Sequence, residues 1–287
     1  MIAVLKHELR GYLHSLIVYI FWAAMLVFIG IGMMIYNLSA GYANFEFVLG
    51  FACMGLCILI PILTMRVIAE EKRQKTDQLL YSLPLSTAKI VMGKFLATMI
   101  VFLVPVLIMC IYPVVLAQYG EMYLLTAYGS LLAFYLLGGA LAAIGIFISS
   151  LTENLGFAAG ISIAVFLLNY YLVTLAEYTS TSAFGSLVVL CLIWVVLGLI
   201  VDMLTKNDNL SFGAAIVLVL ATGVVYFIDS TKFENLIPNV MSEISLFDRF
   251  YIIINGVFDL TVIIYYVTVM IFFLFLTVQS LEKRRYN

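Results

Sequence analysis

Cys53 and Cys57 stand one helical turn apart, a spacing at which two thiolates could begin a metal site. Such a site needs further soft or imidazole ligands. Cys110 and Cys191 lie alone in other apolar runs, and the two histidines, His7 and His14, lie near the N-terminus. The four cysteines therefore read as buried apolar thiols. Gly160-Ile161-Ser162 has the outline of a G-x-S nucleophile, but no histidine accompanies it in the apolar segments to take the proton. Asp202 and Asp229, the candidates for an aspartyl pair, fall at the ends of two different runs. Gly93-Lys94 has the ending of a phosphate loop, yet Phe95 stands where Ser or Thr would hold Mg²⁺, and Ala88 replaces the upstream glycine. No catalytic, cofactor-binding or metal-binding residue is assigned to this chain. ATP-driven work must come from another polypeptide that binds the ATP and Mg²⁺.

The elements that carry these residues are eight long apolar stretches: Leu16 to Tyr36, Phe47 to Met65, Phe95 to Leu116, Leu124 to Ser149, Leu155 to Ala176, Phe184 to Val201, Phe212 to Ile228 and Leu260 to Val278. A helix rising about 1.5 Å per residue needs about 20 residues to cross the hydrocarbon core, and most of these runs reach that; the sixth and seventh are short. None of the 14 Lys+Arg and 16 Asp+Glu residues falls in the centre of a run. The chain is 65% hydrophobic and 10% charged, whereas soluble domains are roughly a quarter charged. The fold class expected is an all-α polytopic integral membrane protein, one permease-like domain over residues 1–287. Its net charge of −2 gives no reason to expect a nucleic-acid partner. Ion-coupled carriers place charges inside their spans, and the lack of them here argues against that class.

Every Lys and Arg other than Lys232 and Arg249 falls on one side if the N-terminus is cytoplasmic. Positive charge accumulates on the cytoplasmic face, so both termini are expected inside, in the plasma (inner) membrane. Residues 1–15 are expected to stay in the mature protein, because the apolar run after them is longer than the about 7–15 residues of a signal peptide. Ile2, Leu5, Leu9, Tyr12, Leu13 and Leu16 recur at spacings of three and four, with Lys6, His7, Glu8 and Arg10 between them. That pattern predicts an amphipathic helix lying in the interface with membrane lipid. Gly138, Gly139, Ala140, Ala142, Ala143 and Gly145, then Gly156 and Gly160 in G-x-x-x-G spacing, permit close helix approach within the subunit or across a dimer. Pro61, Pro105 and Pro113 can kink their helices, as hinges or as static bends.

The densest charge lies at 66–94, between the second and third runs. It reads as a helix extending from the second run, a short leucine-bearing amphipathic segment ending near Pro84, and a new helix capped by Ser86. Residues 230–259 form a segment too polar to span and too apolar to be a free loop. Val240, Ile244, Phe247, Phe250 and Ile254 fall at helical spacings, with Asn255-Gly256 as a stop and Asp259 as the cap of the last span. One or two short external helices are expected there.

Glu70, Glu71, Lys72, Arg73, Thr76, Leu79, Leu80, Pro84 and Ser86, followed by Ile90, Val91, Gly93 and Lys94, follow a pattern of the form E-E-K-R-x-x-T-x-x-L-L-x-x-P-x-S…I-V-x-G-K. This resembles permease subunits of class-2 ABC-type exporters, in the branch related to gliding-motility and copper-nutrient permeases. Glu8-Leu9-Arg10-Gly11-Tyr12 near the N-terminus, and Phe247-Asp248-Arg249-Phe250, Gly256 to Leu260 and the basic tail after Leu281, are similar to the same family. Lys75 departs from it, standing where many relatives have glycine, which allows a helical turn there. The resemblance implies a six-span core with the 184–228 region as an extra pair. It implies a second permease subunit, identical or different, and separate ABC-type ATPase subunits docked on residues 66–94 and the N-terminal helix. Glu70, Glu71, Lys72, Arg73, Thr76, Leu79, Leu80 and Pro84 would couple to the ATPase. Phe247, Phe250, Gly256 and Asp259 would form an external gate or lid, and Asn169 and Tyr170 could line a path for a lipid-like, peptide or amphipathic cargo. The alternative is a membrane anchor or assembly protein that docks a cytoplasmic partner without transport.

Overall fold

The computed structural model describes residues 1–76, 86–205, 208–257 and 259–286, with side chains outside 196–215 and 285–286. Every regular element among them is helical. The chain divides into two units, residues 1–170 with 246–287, and residues 171–245.

The first unit contains α1 (Ile2–Leu13), α2 (Leu16–Gly32, continued by a π-helical stretch over Met33–Ser39), α3 (Phe45–Thr64) and α4 (Arg66–Gln74). It continues with α5 (Thr87–Met109), α6 (Ile111–Leu116), α7 (Leu124–Leu151) and α8 (Leu155–Tyr170), and closes with α13 (Leu246–Ile254) and α14 (Leu260–Tyr286). Among the described residues, five stretches are long and apolar enough to cross a membrane: Leu16–Ser39, Phe45–Gln74, Thr87–Leu116, Leu124–Leu151 and Leu260–Arg284. With the shorter apolar helices of both units, they make this a multi-pass membrane protein.

α7 is the hub, and its small residues explain why. A Cβ on Gly138 would overlap the Phe102 ring of α5, one on Gly139 would lie 2.9 Å from Met99 and 3.0 Å from Met270, and one on Gly145 would overlap Thr64 of α3. Three helices thus approach α7 at glycines, which recovers dispersion contacts between surfaces that lipid would otherwise cover equally well. Within the subunit the Gly156/Gly160 pair seats no neighbouring helix; a Cβ on Gly160 would meet nothing within 4 Å.

Pro105 and Pro61 both lie inside helices. Pro105 has no N–H for the carbonyl of Val101, one turn earlier, and the Trp22 indole N–H supplies the missing donor at 2.9 Å. Pro61 precedes a break at Met65 that separates α3 from α4.

The second unit holds α9 (Leu172–Glu177), α10 (Ala183–Thr205), α11 (Asp208–Ile228), a 3₁₀ turn (Ser230–Phe233) and α12 (Leu236–Ile244). The expected run Leu155 to Ala176 is therefore two helices, broken at Tyr171. α10 and α11 pair as a hairpin, and the Asn235 amide donates to the Thr181 carbonyl at 3.1 Å, closing its base. Asp229 accepts from the backbone and hydroxyl of Thr231, which holds its carboxyl below the usual carboxylate range.

Where one or two short helices are expected, residues 236–254 form two, and they fall in different units. The segment's expected apolar stripe also divides: Phe247, Phe250 and Ile254 are buried, whereas Val240 and Ile244 are exposed and Ile237 is buried in their place. The turn of the chain at Ser245 resets the helical phase.

Candidate functional site

α4 carries the charged run of the 66–94 segment, and its side chains turn inward. Arg66 makes a two-point bond to Glu70, Nε to Oε2 at 2.6 Å and Nη2 to Oε1 at 3.0 Å, and its Nη1 donates to Ser15 Oγ at 2.7 Å. Glu71 Oε1 lies 2.6 Å from Lys94 Nζ on α5. Lys72 is buried and donates to the Ser150 carbonyl at the end of α7, where the exposed carbonyls of a helix C-terminus favour a cation. Arg73 is exposed.

The break at Met65 has a specific cause. In an unbroken helix the amides of Ile68 and Ala69 would reach back to Thr64 and Met65. They donate instead to Ser149 Oγ on α7, at 3.2 and 3.0 Å, and that hydroxyl donates to the Met65 carbonyl at 3.0 Å. A side chain inserted into the ladder bends a helix without leaving polar groups unpaired in an apolar setting.

α4 ends at Lys75, whose φ of 57° and ψ of 22° are left-handed, and the Thr76 amide returns to the Glu71 carbonyl at 3.0 Å. The expectation of a helical turn at Lys75 is corrected: the residue takes the conformation that glycine holds most easily, because the chain must reverse there to close the helix. Leu79, Leu80 and Pro84 lie outside the described residues. Ser86 occupies the N-cap position of α5, but its hydroxyl makes no cap hydrogen bond. Lys89 and Ile90 reach its carbonyl instead.

Lys94 is the centre of the arrangement. Its side chain is 2% exposed, and Nζ meets Glu71 Oε1 at 2.6 Å, Glu8 Oε1 at 2.7 Å and the Val67 carbonyl at 3.0 Å. One turn further along both helices, the hydroxyls of Tyr12 and Thr98 are 3.2 Å apart, and burial pushes the Tyr12 hydroxyl up. Of the expected apolar stripe of α1, Leu9 and Tyr12 pack against the protein core. Val4, Glu8 and Tyr12 face the body of the protein, and Ile2, Leu13 and Leu16 are exposed. A buried ammonium outweighs a few methylenes, since an unpaired charge in the interior costs several kcal/mol. Between α1, α2, the end of α3, α4 and α5 lies a cavity of about 930 Å³, apolar at Val4, Val18 and Leu63 and ionic at Glu8, Arg66 and Glu71.

At the opposite end of the unit, Asn169 Oδ1 accepts from the Leu246 amide at 3.0 Å, capping α13, and the buried Tyr266 hydroxyl donates to the Leu246 carbonyl at 2.9 Å. Tyr170 packs edge-on to Phe247, with centroids 5.1 Å apart. Phe250 is buried, Gly256 adopts φ +88°, and Asp259 caps α14 through the Thr261 amide at 2.8 Å. Hydrogen bonds from Thr261 hold the Asp259 carboxyl low. Among the described residues no group of His, Cys, Asp or Glu could hold a metal ion.

A family model described as ABC-2 family transporter protein matches residues 2–185. The chain belongs to the ABC-2 transporter family. No curated protein matches it. The family match runs from α1 into the start of α10, so it takes in Glu8, the whole of α4 and Lys94. This ABC-2 protein is a transporter permease, the membrane component of its system and not a catalyst. The family in general works with an ABC ATPase.

The chain carries Glu70, Glu71, Lys72 and Arg73 on one short helix, with Thr76 just past its end. What the sequence does not reveal is direction. Glu8 and Lys94, each an isolated charge in a family-like motif among apolar residues, carry a signal that could have paired them. Ser15, Thr98 and Ser149 carry none, because a hydroxyl in or beside an apolar helix has no spacing that marks its partner, and Ser150 serves through its backbone carbonyl, which no sequence pattern marks.

Proposed function

We propose that this ABC-2 permease is one subunit of an ATP-driven exporter, in the branch related to gliding-motility and copper-nutrient permeases. It has eight spans, a six-span core with the α10–α11 pair added, and both termini in the cytoplasm. The distribution of Lys and Arg supports that orientation, with Lys232 and Arg249 the exceptions. Two permease subunits, identical or different, form the path, and two ATPase subunits bind ATP and Mg²⁺ beneath them.

The observation that carries the coupling role is the rooting of α4. It is bonded to Ser15 at the start of α2, to α5 and to α7 through Arg66, Glu71, Lys72 and the Ser149 insertion, and it leads toward residues 77–85. A force applied to that segment reaches three helices at once. Within the family-like run, Glu70, Glu71 and Lys72 anchor α4. Arg73, Thr76, Leu79, Leu80 and Pro84 are the partner-side residues. At the other end, Phe247, Phe250, Gly256 and Asp259 form an external lid, and Asn169 and Tyr170 fasten it.

Replacing Leu79 and Leu80 by Asp tests the role, since carboxylates buried without partners in an apolar groove cost several kcal/mol. The ATPase should be lost from the purified complex, or its hydrolysis should no longer respond to the permease. Full retention of both would leave the anchor reading, a membrane protein that docks a partner without driving transport.

A further inference from the structure

The family-like Gly93-Lys94 pair looks from the sequence like part of a partner-facing loop. Its surroundings say otherwise. An ammonium has three N–H donors, and Lys94 has three oxygens within 3.0 Å, one from α1 and two from α4. No donor remains for a ligand or a partner. Beside it Gly93 lets α1 come close: a Cβ there would stand 3.1 Å from Val4 Cγ1 and 3.4 Å from the Met1 carbonyl oxygen. The Tyr12–Thr98 contact adds a second rung.

From this we infer that Lys94 is a positioning residue, an internal clamp that makes α1 and α4 move as one body, and the inference rests on the coupling role proposed above. Any displacement that parts α1 from α4 leaves the buried ammonium short of an acceptor, and leaves the Glu8 carboxylate without its counter-charge. Joint motion keeps all three bonds. The interfacial helix is then not a passive float but is carried with α4 whenever residues 77–85 are pushed, and its exposed apolar side chains Ile2 and Leu13 drag on the lipid interface.

The test uses the full chain in inside-out vesicles, with Cys110 and Cys191 replaced by Ser and Val4→Cys as reporter. Val4 is 8% exposed beneath α1, so an impermeant maleimide should label it slowly. Lys94→Met should raise the labelling rate about tenfold or more through local opening of α1. Glu8→Ala, which removes only the α1 carboxylate, should act in the same direction, and Glu8→Gln, which keeps an acceptor oxygen, should restore protection. With the ATPase bound, Glu8→Ala should lower kcat for ATP hydrolysis and leave KM for ATP unchanged, a split that general destabilisation does not produce. Should Lys94→Met not fold, Glu8→Ala decides alone. Unchanged labelling in Glu8→Ala, or an unchanged kcat in the intact complex, overturns the clamp. A parent chain that never captures an ATPase defeats the coupling role instead, while the labelling result still reports on the contact.

Discussion

Trp22 donates its indole N–H to the carbonyl oxygen of Val101 at 2.9 Å, and that carbonyl is the acceptor from which Pro105 withholds a backbone donor. The acceptor that Pro105 leaves open in α5 is thus filled by a bond from α2. Trp22→Phe should destabilise the protein by about 1–3 kcal/mol, the cost of a buried acceptor left unmade. In a Pro105→Ala background, where residue 105 regains its own N–H, the same substitution should cost markedly less. Thermal unfolding in detergent micelles reads both, and equal losses in the two backgrounds would separate Trp22 from the proline.

Ser149 holds two amides and one carbonyl at the α3–α4 break. Ser149→Ala should cost about 1–3 kcal/mol, and should speed hydrogen exchange at Ile68 and Ala69 before other amides of α4. Exchange measured by mass spectrometry on the peptide covering α4 checks this. Unaltered protection there would mean that the break does not depend on the hydroxyl.

Lys75 ends α4 with φ of 57°. A side chain in the left-handed region costs roughly 1–2 kcal/mol that glycine avoids, offset in part by glycine's greater freedom in the unfolded chain. Lys75→Gly should therefore raise stability by about 0.5–1 kcal/mol, and Lys75→Ala should not. If both substitutions shift the melting temperature equally, the effect belongs to the lost charge and not to the backbone.

Most of the fold was legible because the membrane imposes length and apolarity on each span, and the runs beginning at Leu16, Phe47, Leu124 and Leu260 each sit on a long helix. Boundaries were less so. The run from Leu155 reads as unbroken, yet the chain turns at Tyr171, where no proline or glycine marks the break. The helical spacing of Val240, Ile244, Phe247 and Phe250 is real within each short helix and meaningless across Ser245. The charged run at 70–73 was legible as one element, whereas its inward direction depended on Lys94, Ser15 and Ser150, each distant in sequence. Asn169 was read as a path residue from its polarity; its partner is a backbone amide 77 positions away, which no local pattern announces.

The bond between Asn169 and Leu246 has an evolutionary corollary. It lies at the two points where the chain leaves the first unit and returns to it, so residues 171–245 hang as a closed excursion from a stitched base. Lengthening a closed loop is cheap, about 0.6 kcal/mol for each doubling. Insertions, deletions or wholesale exchange within the excursion should leave the geometry of the core that bears α4 and Lys94 unchanged.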